Sequence, residues 1–180
     1  MPTILSHAAA GAALGQWQRA RPAGFWFWTL CCAMLPDADV VAFDVGIPYG
    51  DMLGHRGLTH SLAFAALVGA LLAVALGRGV HRQARMSLFF HFSLVTASHG
   101  LLDALTDGGL GAALLAPFSE ARYFFPWRPI AVSPIGGGFF TARNLDGVPR
   151  WVAVLSSELL WVGFPAAVVA FAARVRLRAQ

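Results

Sequence analysis

Charge is scarce in this chain, and lysine is absent altogether. Only 12% of its 180 residues are charged, 57% are hydrophobic and the mean hydropathy is +0.62. Soluble domains carry roughly 25% charged residues, so the composition predicts an integral membrane protein. The 13 basic residues are all arginines and stand in a few short segments. That clustering argues against a continuous basic surface that binds nucleic acid.

Cysteine chemistry and a secretory leader are also missing. Cys31 and Cys32 are neighbours in an apolar stretch, whereas zinc-thiolate and redox pairs usually have two residues between them, so we expect packing residues. The N-terminal stretch MPTILSHAAAGAALG lacks a basic start and contains a histidine, which predicts a retained helix. We find no internal repeat, heptad run or low-complexity tail. One domain over residues 1–180, with no obligate protein partner, is the expectation.

Five apolar segments predict an all-α, polytopic membrane helix bundle. Residues 61–76, 87–106 and 151–173 are the better candidates for crossing a bilayer, which takes about 20 residues. The other two segments, 4–18 and 25–35, are shorter, and the second is expected to stop at Pro36. These segments are therefore predicted to be tilted or partly buried.

The arginines predict the orientation of this bundle, because short cytoplasmic loops collect positive charge. Three groups alternate with the other connections: Arg19 and Arg21; Arg78, Arg82 and Arg85; and Arg174, Arg176 and Arg178. This pattern places the N-terminus outside. The outer side then also receives residues 36–60 and the connection 107–150, which is rich in proline and glycine and is predicted to form an ordered cap.

The spacing of His99 and Asp103 is the strongest sign of a site. Four residues on a helix give a rise of about 6 Å and nearly the same face, so an imidazole and a carboxylate can share a metal ion. Asp107 continues this stripe. The alternative is a hydrogen-bonded pair that joins two helices.

Other ionisable residues are predicted to reach the same leaflet. They are His7, Asp37, Asp39, His55 and His60. Taken singly, Asp37 and Asp39 could mark a solvated helix end, and His55 an exposed loop. An ionisable group in the middle of a membrane helix costs roughly 2.5–3.5 kcal/mol on insertion scales, so several of them together need a shared reason. A divalent metal supplies one, because it binds carboxylates and neutral imidazoles alike.

The ordered motifs SHAAAGAALG, LPDAD, GHRGLTHS, HGLLDALTDGG and PFS resemble the YdjM-type family of inner-membrane, metal-dependent hydrolases over nearly the whole chain. More distantly, the histidine and aspartate pattern resembles the zinc-dependent phospholipase C and single-strand zinc nuclease group. The resemblance implies one to three divalent metal ions, zinc first and manganese or iron as alternatives. It also implies a bacterial inner-membrane location and cleavage of phosphoester bonds.

The sequence therefore predicts a membrane-embedded hydrolase that acts on lipid phosphoesters at the outer face. The expected metal ligands are His7, Asp37, Asp39, His55, His60, His99 and Asp103. The expected catalytic residues are Asp37, Asp39 and Arg56, and either aspartate would bridge metals or orient the attacking water. The expected substrate contacts are Arg56, Thr59, Arg122 and Arg128. The alternatives are an ester or amide hydrolase, a metal or ion transporter in which His91 extends the path, and a structural bundle held by metal.

Overall fold

A computed structural model of the chain describes residues 1–134, 138–144 and 147–179, and its regular structure is helical. Parts of the predicted cap, residues 135–137 and 145–146, and the C-terminal residue of the predicted domain lie outside the described residues. The α-helices are α1 (Ile4–Gly15), α2 (Phe25–Met34), α3 (Val41–Asp44), α4 (Leu62–Leu76), α5 (Arg82–Ala104), α6 (Arg150–Glu158) and α7 (Phe164–Arg178). The all-α prediction is confirmed, since the described residues form only isolated β-bridges beside these helices.

Two helical stretches are long and apolar enough to cross a membrane. One runs over Phe25–Asp44 and the other over Arg150–Arg178, while α1 and α4 are apolar but shorter. α5 spans 23 residues but carries two arginines, two histidines and an aspartate, which lower its hydropathy. Length and composition thus support two of the five predicted spans in the described chain. The five-span topology stays a prediction.

The first long stretch continues past the proline where a stop is expected. α2 ends at Met34, but a 3-10 helix, Leu35–Val40, carries the chain on into α3. Pro36 lies in the first turn of that helix, where its missing N–H would have no helical partner in any case. The predicted stop is therefore confirmed for the α-helix, while the chain continues past Pro36 in 3-10 winding. The 3-10 turn is what carries Asp37 and Asp39.

The second long stretch changes its winding halfway along. A π-helical turn, Leu159–Gly163, separates α6 from α7, and Pro165 follows in the first turn of α7. Glu158, just before that turn, accepts hydrogen bonds from the backbone N–H and hydroxyl of Thr3 and from the hydroxyl of Ser6. These bonds hold α6 against the start of α1.

Small residues let the helices pack closely around the core. Gly69 of α4 faces Ser93 of α5, and a Cβ at Gly69 would lie 2.0 Å from the Ser93 Oγ. Cys32 is buried in the core beside Ala33 and Phe92, so the packing interpretation of this cysteine is confirmed. Large apolar side chains face outward instead: Phe27, Leu71, Phe90 and Phe171 are 61–69% exposed. Such an apolar exterior suits a surface in contact with lipid.

The connection between α5 and α6 forms an ordered cap without helices in its described part. Ala112 and Tyr123 exchange two backbone hydrogen bonds across it. The Ala113 N–H donates to the Arg56 carbonyl, which fastens the cap to the loop before α4. The cap therefore lies over the loop that carries His55 and His60.

Candidate metal centre

Four predicted ligands converge where three helical segments meet. Asp37 comes from the 3-10 turn after α2, His60 from a 3-10 turn at Leu58–His60, and His99 and Asp103 from α5. One ligand atom from each lies within 4.8 Å of all the others. His60 Nε2 is 3.0 Å from Asp103 Oδ2, and His99 Nε2 is 3.2 Å from Asp37 Oδ1. The His99–Asp103 pair on α5 thus contributes two of the four residues of this cluster.

The converging atoms are buried and have no hydrogen-bond partner. They are the Nε2 atoms of His60 and His99, Oδ1 of Asp37 and Oδ2 of Asp103. A buried polar atom left unsatisfied costs about 1–3 kcal/mol, more if it is charged. A cation among them, together with water bound to it, would satisfy all four. The donor set therefore fits a divalent metal ion.

Hydrogen bonds on the far side of each imidazole aim its Nε2 at the cluster. His99 Nδ1 donates to the Ala33 carbonyl over 2.7 Å, which leaves the Nε2 lone pair free. Thr59 Oγ1 donates to Asp39 Oδ2 over 2.6 Å and, with its one proton used, can only accept from His60 Nδ1 at 3.0 Å. These bonds orient both imidazole rings with Nε2 toward the cluster.

Asp39 holds the neighbouring loop in place. Its Oδ1 accepts from His55 Nδ1 over 2.7 Å, and its Oδ2 accepts from the Arg56 backbone N–H and the Thr59 hydroxyl. His60 Nδ1 also lies 3.2 Å from Oδ2. Asp39, His55 and His60 form a second group of ligand type, but the Asp39 oxygens already serve these donors. We therefore assign Asp39 to positioning of the loop, while its predicted roles as a metal ligand and catalytic group stay predictions.

An Asp39→Asn substitution tests that assignment. The amide cannot accept on both sides as the carboxylate does, so the His60 and His55 rings lose their fixed orientation. We expect the metal affinity of the protein to fall about 10–100-fold, the usual cost of losing a partner of a ligating histidine. Isothermal titration with zinc gives the affinity, with Asp51→Asn as the control. A zinc affinity in Asp39→Asn equal to that of the parent would contradict the positioning role.

Arg56 is wholly buried in the cluster. Its Nε lies 3.3 Å from Asp103 Oδ2, and its guanidinium also donates to the Thr106 hydroxyl and the Gly108 carbonyl. Its φ of 62° is in the left-handed region, the one such value at a described residue other than glycine. This backbone position turns the side chain inward. Arg56 thus pairs with Asp103, and its predicted contact with substrate oxygens stays a prediction.

The cluster carries an excess of two negative charges when its histidines are neutral, since three carboxylates, Asp37, Asp39 and Asp103, face one guanidinium. Burial alone would lower the pKa of His60. The three carboxylates around His60 outweigh burial and raise that pKa to about 10. The site therefore attracts positive charge strongly, as a divalent cation site should.

His7 lies beside the four converging residues. Its ring stacks on that of His99 with centroids 3.6 Å apart, and its Nε2 is 3.9 Å from Asp103 Oδ1. Both of its ring nitrogens are buried without a hydrogen-bond partner. The structure thus brings together His7, Asp37, His60, His99 and Asp103, while the Nδ1 of His55 bonds to Asp39. The His55 Nε2 is buried and unpartnered as well.

Gly100 allows α5 to approach the His60 turn. A Cβ built at Gly100 would lie 2.4 Å from the His60 carbonyl oxygen, closer than real contacts allow. Alanine normally favours a helix interior over glycine by about 1 kcal/mol. We expect Gly100→Ala to do the reverse, lowering the thermal midpoint and the metal affinity together, because α5 must move away from His60.

A matched variant separates this clash from a general effect on α5. Ser98→Ala lies two residues earlier on the same helix and is expected to keep both properties. Differential scanning fluorimetry with and without zinc measures the two midpoints. A Gly100→Ala protein as stable and as responsive to zinc as the parent would contradict the close approach.

The two cap arginines, which were predicted to contact the substrate, make other contacts in the structure. Arg122 donates to the backbone carbonyls of His55, Tyr49 and Asp51, which clamps the loop before α4. Arg128 is exposed and stacks over the Phe124 ring at 4.8 Å. We therefore assign Arg122 to loop support, and no contact places Arg128 at the cluster.

His91 and Asp107, which are not among the metal ligands expected from the sequence, make their contacts away from the cluster. His91 Nε2 bonds to the Thr29 hydroxyl over 2.9 Å. Asp107 accepts from the Val132 N–H and lies 3.5 Å from Arg150.

Glu158 was not predicted from the sequence. The one signal for it is that it is the single acidic residue in the last apolar segment. Its bonds to Thr3 and Ser6 give it a structural role.

Comparison with known proteins finds a family model and a relative that match most of the chain. A model of the YdjM inner membrane protein family matches residues 1–179. Inner membrane protein YbcI of Escherichia coli (strain K12) is 40% identical over 167 residues, which cover 92% of this chain and 92% of that protein. No solved structure matches the chain significantly.

Proposed function

We propose that this chain, which belongs to the YdjM family of inner membrane proteins, is a metal-dependent hydrolase of the bacterial inner membrane. The resemblance drawn from its motifs is confirmed at the family level. The observation that carries the proposal is the convergence of buried, unpartnered imidazole nitrogens and carboxylate oxygens from three segments. Such atoms are costly to bury unless they are hydrogen-bonded, paired with a charge or bound to a metal ion, and a shared cation would serve the whole group.

We assign one divalent ion to His60, His99 and Asp103, with His7 adjoining. Three protein ligands are what catalytic zinc sites use, because the fourth position must stay open for water. The Asp37 side chain is 12% exposed, whereas those of His60, His99 and Asp103 are fully buried. Asp37 therefore marks the side from which water and substrate would arrive. Zinc suits this ligand set, and manganese or iron are the alternatives.

When bound, the ion supplies Lewis-acid activation of water and of a phosphoryl oxygen. Asp37 Oδ1 is placed to take the proton of the attacking water. Arg56 keeps the Asp103 carboxylate ionised and fixed, and Asp39 with Thr59 fixes the His60 ring. Burial excludes bulk water from the remaining ligands, which strengthens every charge interaction in the site.

An apolar cavity beside the cluster supports a lipid-linked substrate. It holds about 230 Å³ and is lined by residues of α1, α5 and the Leu159–Gly163 turn with α7, among them Leu102, Trp161 and Ala166. On α5 the cavity is lined by Ser98, Leu101 and Leu102, a helix face adjacent to the one that carries His99 and Asp103. We therefore propose a lipid phosphoester as substrate.

A hydrolysis screen tests this function. Protein purified in detergent is supplied with phospholipids and lipid phosphates, with and without a chelator, and phosphate or headgroup release is measured. We expect release that the chelator abolishes and zinc restores. Release that survives metal removal would contradict the proposal, and so would metal flux into proteoliposomes with no hydrolysis of any substrate.

Orientation is a separate part of the proposal. The arginine pattern places the C-terminus inside and the cluster toward the outer face. A reporter enzyme fused after Arg178 is expected to be active only in the cytoplasm. A periplasmic signal would put the cluster on the cytoplasmic side and would leave the metal assignment untouched.

A further inference from the structure

Two adjoining cavities lie at the other end of the bundle from the metal cluster. One holds about 290 Å³ and the other about 480 Å³, and both are lined by Trp17, Gln18 and Ser87. Ser87 precedes His99 by twelve residues on α5, a rise of about 18 Å. These cavities are therefore separate from the cluster, although the larger one shares Leu14 with the apolar cavity described above.

The smaller cavity is polar and positively charged. Arg19 and Arg176 line it together with Gln18. The Arg176 guanidinium stacks over the Trp17 ring at 5.4 Å, which fixes this charge at the mouth of the cavity. Among the described residues that line either cavity there is no carboxylate. The cavity therefore suits an anion.

Gln18 adds a hydrogen-bond donor that has no acceptor. Its side chain is 5% exposed, and its Oε1 accepts from the Arg19 N–H and the Ser87 hydroxyl. That fixes the amide orientation and leaves Nε2, which is buried and has no hydrogen-bond partner. Buried donors are almost always satisfied in native proteins. An oxygen of an anionic group would satisfy this one.

The larger cavity continues from the polar one along an apolar wall. Leu14, Phe90 and Leu94 line it, and Phe90 and Leu94 are largely exposed on the outside of the bundle. His91 also lines it, but its Nε2 is already bonded to Thr29. An apolar cleft that opens on the lipid-facing surface suits a hydrocarbon chain, and Trp17 beside it is typical of a membrane interface.

We propose that these two cavities form a binding site for an anionic phospholipid. The lipid phosphate would lie between Arg19, Arg176 and the Gln18 amide, and one acyl chain would lie along Leu14 and Leu94. Arginine suits phosphate because its planar fork can donate two hydrogen bonds at once. This site shares no residue with the metal cluster, so its test does not depend on the hydrolase proposal, although Leu14 also lines the cavity proposed for the substrate's hydrocarbon chain.

Native mass spectrometry of the full chain tests the site. Protein in detergent is titrated with phosphatidylglycerol, with phosphatidylcholine and with inorganic phosphate, and retained adducts are counted. We expect phosphatidylglycerol to be retained at least about tenfold better than phosphatidylcholine, and an excess of inorganic phosphate not to displace it. In the double variant Arg19→Gln and Arg176→Gln, this preference should be lost.

Arg178→Gln is the matched control, because it removes an arginine two residues further along α7 that does not line the cavity. It should retain phosphatidylglycerol as the parent does, and all variants should keep their zinc content. Leu94→Trp, which fills the apolar cleft, should also reduce retention. Equal retention of the two lipids, displacement by inorganic phosphate, or equal losses in Arg178→Gln and the double variant would overturn the proposal.

Discussion

Replacing Arg56 with methionine is expected to destabilise the protein by about 3–5 kcal/mol, the usual cost of leaving a buried charge without its partner. Arg56 and Asp103 are both fully buried, and Arg56 Nε is 3.3 Å from Asp103 Oδ2. Methionine keeps much of the side-chain length and removes the charge. Denaturation in mixed micelles measures the free energy of unfolding.

Two further variants separate charge from backbone strain. Arg56→Gly relieves the left-handed φ but removes the charge, so it should remain destabilised. Combining Arg56→Met with Asp103→Asn removes both charges, and the double variant should lose less than the sum of the single losses. Strictly additive losses, or an Arg56→Met protein as stable as the parent, would show that the ion pair has no such role.

Asp103→Asn is expected to abolish metal binding and hydrolysis together. Its Oδ2 lies 3.0 Å from His60 Nε2 and 3.3 Å from Arg56 Nε, so it links the ligands to the buried guanidinium. The substitution removes a ligand charge and leaves Arg56 unpaired in the cluster. We expect the affinity for zinc to fall by more than the roughly 100-fold that loss of a supporting partner causes.

Asp107→Asn is the natural control for this variant, because it is the next acidic residue along the chain. Asp107 is nearly half exposed and bonds to the cap instead of the cluster. Its asparagine variant should bind zinc with the affinity of the parent. Equal behaviour of the two variants in zinc titration would mean that Asp103 is not a ligand.

Parts of the site could be predicted because local geometry alone fixes them. His99 and Asp103 share a helical face by their spacing, and that relation survives any arrangement of the other helices. His7 and His60 were predicted from the leaflet that the arginine pattern assigns to them. The structure places both at the cluster, although the orientation in the membrane stays a prediction.

Other features depend on contacts that no local pattern contains. An arginine in a loop is normally exposed, so the burial of Arg56 could be recognised only from the structure, which shows its partner Asp103. Asp37 and Asp39 look equivalent in LPDAD, yet the 3-10 turn points one toward His99 and the other toward His55. The role of each carboxylate was therefore decided by tertiary structure.

The span count differs for a related reason. Hydropathy ranks helices by their average composition, and the polar residues that build a site lower that average. α5 carries His91, His99 and Asp103 and falls short, while Arg150–Arg178 passes with its single acid, Glu158. Residues that mark function in a membrane helix also make that helix harder to recognise.

Metal content measures the central claim most directly. Elemental analysis of protein purified without chelators, after exposure to zinc and removal of the excess, should find about one divalent ion per chain in the parent and in His91→Ala. The His60→Ala variant should hold none, because it loses the imidazole nearest to Asp103. Equal metal content in His60→Ala and the parent, or no metal in any of the three proteins, would contradict the account.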